Sequence, residues 1–136
     1  MGAVVRFFFR ILIGIAGVLG LLAACTFWLE PDRAGSGIGL LVANATGNAT
    51  IRADIGGFFG ASGLFALIAA IRGDARFALG TLVLMAFALF GRVLNLLLSG
   101  WNPIFLPPML IEVFVIAVFA FAWRALRETE QIQAGQ

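Results

Sequence analysis

Two formal charges, Arg92 and Glu112, interrupt long apolar stretches of this sequence. A charged side chain at the centre of a bilayer costs at least ~2.5–3.5 kcal/mol on insertion scales, so it calls for a partner or a function. A guanidinium stays ionised and grips carboxylates or phosphates through a planar fork, whereas a carboxylate takes up and releases protons. Asn95 and Ser99 follow Arg92 at i+3 and i+7, on the same helical face. Arg52 and Asp54 add a second pair of opposite charges just before another apolar stretch. Arg52, Asp54, Arg92, Asn95 and Glu112 are therefore candidates for one polar binding cluster that opens to the outer side of a membrane.

Composition removes most other chemistry. The chain has no histidine, lysine or tyrosine, and its nine basic residues are all arginine. Without histidine the commonest general base and zinc ligand are missing. Cys25 is the single cysteine, which excludes an internal disulfide and a CxxC pair. We therefore expect no catalytic residues, no metal and no cofactor. The net charge of +2 comes from scattered arginines, which argues against a nucleic-acid partner.

The elements that must position the charges are membrane helices. Of 136 residues, 62% are hydrophobic and 12% charged, against roughly 25% charged in soluble domains. That much apolar surface has to face lipid, and the bilayer is the first expected partner. The expected fold is all-α, an integral membrane four-helix bundle in a single domain. Its spans cover about 7–29, 55–71, 77–98 and 105–123, with a loop 30–54 outside and a tail 124–136 inside. Ile38 to Val42 forms an apolar island in that loop, expected as a re-entrant or surface-lying turn. Arg6, Arg10, Arg72, Arg76, Arg124 and Arg127 then fall on one side, with only Arg33 and Arg52 on the other. Six against two predicts both termini in the cytoplasm of a multi-pass inner-membrane protein.

In this frame Arg92 lies six residues before the end of span three, ~9 Å along the helix, and Glu112 seven residues into span four, ~10 Å. A short connection makes these spans antiparallel neighbours, so the two charges share a depth. The pair can serve a ligand or transport pocket, with Glu112 the proton-responsive group. Equally, it can lock two helices together, or Arg92 can snorkel to the headgroups.

Gly56, Gly60 and Gly63 recur at i, i+4 and i+7 and predict close helix packing, as Gly14, Gly17 and Gly20 do less regularly in span one. Leu22-Ala23-Ala24-Cys25 after two arginines has the look of a lipoprotein signal. The apolar run continues past Cys25 through Leu29, which predicts a retained helix. Pro107-Pro108 suit the first turn of span four, where their missing amide donors are harmless.

The stretch Arg52-Ala53-Asp54-Ile55-Gly56-Gly57-Phe58-Phe59, followed by Gly63-Leu64-Phe65, resembles the opening of span two in small bacterial membrane proteins catalogued as domain of unknown function 4345. The likeness continues through Gly91-Arg92, Ser99-Gly100 and Glu112. It implies a four-helix membrane protein whose polar signature falls on Arg52, Asp54, Gly56, Gly57, Arg92 and Glu112, and it confers no established activity. Three functions are consistent with these residues. The first is a binding or accessory protein, as a homo-oligomer or within a larger membrane complex. The second is a small proton- or ion-coupled transporter acting as an oligomer, and the third a membrane enzyme on lipid substrates.

Overall fold

In the computed structural model residues 3–134 are described, with side chains described through 128. The chain runs α1 (Ala3–Leu29), α2 (Pro31–Gly37), α3 (Ala45–Thr50), a π-helical turn (Ile51–Gly56), α4 (Gly57–Arg72), α5 (Ala75–Ser99), a 3-10 turn (Pro103–Phe105) and α6 (Leu106–Ala134). It is an all-α bundle. Four helical segments, Ala3–Leu29, Ala45–Arg72, Ala75–Ser99 and Pro103–Glu128, are long and apolar enough to cross a membrane. Around the bundle α1 packs on α4, α4 on α5, α5 on α6, and α6 back on α1.

Two boundaries differ from expectation. The second span starts at Ala45 rather than near residue 55, because the polar stretch before it is capped, not unfolded. Asn44 takes an extended conformation and its Oδ1 accepts from the Gly47 amide at 2.9 Å, which starts α3 without burying any residue. The π turn then joins α3 to α4 into one rod. Residues 30–54 are thus not one loop: Pro31 opens α2 after the backbone breaks at Glu30 (ψ 62°). The apolar island Ile38 to Val42 lies between α2 and α3, with Leu41 almost fully exposed. At the other terminus α6 runs on to Ala134, since nothing in Arg124-Ala125-Leu126-Arg127-Glu128 breaks a helix. The last two residues of the expected tail lie outside the described residues.

The turn between α4 and α5 is set by local chemistry. Gly73 adopts φ 70°, a left-handed conformation that suits glycine, and its amide donates to the Ala69 carbonyl at 2.9 Å. Arg10 reaches across from α1 and donates to the carbonyls of Ala70 (2.7 Å) and Ile71 (2.6 Å), which have no partner within α4. Asp74 then caps α5 through the Arg76 amide at 2.9 Å.

The main core gathers towards this Gly73 end. Ile13, Ala66, Ala69, Ala75, Ala78, Phe119, Ala122 and Leu126 form one buried cluster. Beyond Thr81 no described residue of α5 is buried, and before Phe119 none of α6 is. By contrast α1 stays packed against the second span from the π turn through α4. Gly17, Gly20 and Gly63 bring the two backbones into contact, and Trp28 lies across Gly56 and Gly60. The far half of the α5–α6 hairpin stands apart from that seam.

Candidate polar site between the last two helices

α5 and α6 are joined by a short turn in which Gly100 has φ 82° and Asn102 caps the 3-10 turn by accepting from the Ile104 amide at 3.0 Å. Antiparallel helices follow, and residues at matched distances from the turn face each other. Arg92 Nε donates to Glu112 Oε1 at 2.7 Å, an ion pair that bridges the hairpin. The guanidinium side chain is 43% exposed and the carboxylate 12%. The second carboxylate oxygen, Oε2, is buried and accepts no hydrogen bond from the described residues.

Beside this pair is a cleft of about 260 Å³ lined by Ala88, Gly91, Arg92, Asn95, Phe105 and Glu112. On α5 the lining residues fall at i, i+3, i+4 and i+7, one stripe of that helix, and opposite them lie Glu112 of α6 and Phe105 of the 3-10 turn. Asn95 accepts from the Ser99 hydroxyl at 3.2 Å, which keeps its side chain on that stripe. Two small residues, Ala88 and Gly91, make the space. A β-carbon added at Gly91 would meet nothing within 4 Å, and its φ is not left-handed. A glycine inside a helix costs about 1 kcal/mol relative to alanine, and at Gly91 neither packing nor backbone geometry offsets it.

Among family models, curated proteins and solved structures, none matches this chain.

Arg52 and Asp54 do not line this cleft, which corrects the expected single cluster of four charges. The π turn directs Arg52 to α1 instead. Its Nε donates to the Trp28 carbonyl at 2.9 Å, while Trp28 Nε1 donates to the Arg52 carbonyl at 3.1 Å. This reciprocal pair closes the orphan end of α1 and ties it to the second span. Asp54 is exposed on the same turn. The glycines predicted for packing sit in that seam: added β-carbons at Gly56, Gly60 and Gly63 would come within 2.5, 2.9 and 2.8 Å of α1 atoms.

Sequence reasoning missed Ala88 and Phe105 and did not use Gly91 for space. The signal was there, since Ala88, Gly91, Arg92 and Asn95 share one helical face. A larger hollow of about 690 Å³ beside Cys25 was also not anticipated; α1 runs unbroken through that residue, and the exposed Glu30–Arg33 pair (3.2 Å) lies at the hollow's edge. At the Gly73 end Arg127 stacks over Trp123 at 5.4 Å, beside Arg124.

Proposed function

We propose that this chain is a ligand-binding or accessory protein of a bacterial inner membrane, holding a small or lipid ligand between α5 and α6. One observation carries the reading: a guanidinium and a carboxylate pair beside an open cleft between two apolar helices, and the carboxylate keeps a buried oxygen without a partner among the described residues. A helix lock alone has no use for the hollow or for Gly91. In the proposed orientation both termini face the cytoplasm and the Arg92–Glu112 cleft lies towards the outer leaflet, following the arginine distribution. Membership of the family the chain resembles, and assembly with further copies or a larger membrane complex, belong to the same proposal. Extraction in mild detergent followed by native mass spectrometry tests it. The expected particle retains a bound ligand or partner, and a ligand-free monomer overturns the reading.

A second function is favoured by the Glu112 carboxylate, an acid 12% exposed beside a cleft open at the hairpin. On this reading oligomers move protons or ions. Glu112→Gln then abolishes pH-dependent flux in proteoliposomes; unchanged flux removes the alternative.

A further inference from the structure

We infer that the occupant of the α5–α6 cleft is an uncharged, hydroxylated lipid of the diacylglycerol type rather than an anionic one. This rests on reading the cleft as a binding site and adds the class of ligand. The first argument is charge balance. Arg92 and Glu112 cancel, and their cleft is seven residues from the end of α5, about 10 Å along the helix. An anion added there leaves an uncompensated charge inside apolar surroundings, which the bilayer opposes.

The second argument is the inventory of donors and acceptors. Arg92 uses only Nε on Glu112, and its two terminal nitrogens have no hydrogen-bond partner among the described residues. Glu112 Oε2 is a buried acceptor with no donor among the described residues. The site therefore offers free donors beside a carboxylate that is 12% exposed, lines the cleft and is engaged only by Arg92 Nε among the described residues. A head that carries both a hydroxyl and an ester carbonyl satisfies the two together: the hydroxyl donates to the Glu112 carboxylate where it lines the cleft, and the carbonyl accepts from the Arg92 terminal nitrogens. The third argument is access. Outside the cleft's own stripe the far half of the hairpin exposes Phe87, Phe90, Leu97, Leu98 and Phe114, apolar surface along which acyl chains can lie. The empty space at Gly91 admits the head.

The test uses the full chain in detergent micelles with three probes sharing the same acyl chains: dioleoylglycerol, dioleoyl phosphatidic acid and trioleoylglycerol. Native mass spectrometry reads retention for the unaltered protein and for Gly91→Leu, which fills the cleft and leaves the ion pair in place. Circular dichroism checks that the variant stays helical. The expected result is dioleoylglycerol retained about tenfold over both other lipids, and lost about tenfold in Gly91→Leu, each step near 1.4 kcal/mol. If phosphatidic acid binds at least as well and is displaced by Gly91→Leu, the neutral-lipid inference falls while the binding site stands. If no lipid's retention responds to Gly91→Leu, both fall.

Discussion

Two helix pairs in this bundle are built on opposite terms. Between α1 and the second span, glycines remove side chains so that backbones touch: a β-carbon on Gly63 would lie 2.8 Å from the Leu21 amide nitrogen and 2.9 Å from the Gly17 carbonyl oxygen. Between α5 and α6, Gly91 also removes a side chain, and nothing fills the space. The first pair is held by backbone contact at its glycines, whereas the far half of the second has an ion pair beside a cleft. In lipid, contact without gaps drives helix association, because hydrocarbon competes equally for any apolar face. A rigid half and an open half therefore lie side by side, and the open half is where a ligand can be accommodated without dismantling the bundle.

The largest effect is expected in the seam. Gly63→Leu forces a side chain into backbone atoms that cannot step aside, so the destabilisation is about 3 kcal/mol or more. Thermal unfolding in detergent reads it as a lowered midpoint or as loss of folded material. An unchanged midpoint means that α1 and α4 are not in contact there, and the contrast between the pairs is lost.

The ion pair comes next. Glu112→Ala leaves Arg92 without its partner and costs about 1–3 kcal/mol. Replacing both residues, Arg92→Met with Glu112→Met, returns stability close to that of the unaltered chain, since apolar substitutes for a desolvated pair are often neutral. The double variant retains no ligand. A double variant as unstable as Glu112→Ala, with retention intact, identifies the pair as a helix lock and nothing more.

The sequence made the bundle legible where apolar length and charge placement decide the outcome. The four apolar helices and the pairing of Arg92 with Glu112 follow from hydrophobic runs and helical rise. The start of the second span at Ala45 did not, because Asn44 caps a polar helix that carries no apolar stripe. Arg52 was misplaced for a related reason. A π turn rotates every later residue relative to an ideal helix, and nothing in Ile51-Arg52-Ala53-Asp54 announces it. The cleft escaped notice because small residues signal close packing and empty space alike, and only the neighbouring helix distinguishes Gly63 from Gly91.

At the rigid end of the hairpin, Asp74 caps α5, and Asp74→Ala should cost about 1 kcal/mol at neutral pH. Its hydrogen bond to the Arg76 side chain holds the carboxyl below the usual aspartate range. The folded state therefore gains stability that is complete above the unfolded value of about 3.9. That gain is lost as pH falls through the lower folded value. The difference in unfolding midpoint between the protein and Asp74→Ala should shrink over that acid interval. A difference independent of pH excludes the charged cap.

The smallest effect is the sharpest comparison, since it makes one substitution at both glycines. Gly91→Ala adds a methyl group where nothing lies within 4 Å, and it relieves the helix-interior cost of glycine. Stability should rise by up to about 1 kcal/mol. Gly63→Ala meets backbone at 2.8 Å and should lower it. Opposite shifts in unfolding midpoint, measured under one detergent condition, mark one glycine as kept for contact and the other for space. A fall at both positions would mean that α5 and α6 close on each other at Gly91, and a hollow that vanishes in the bilayer has no room for a ligand.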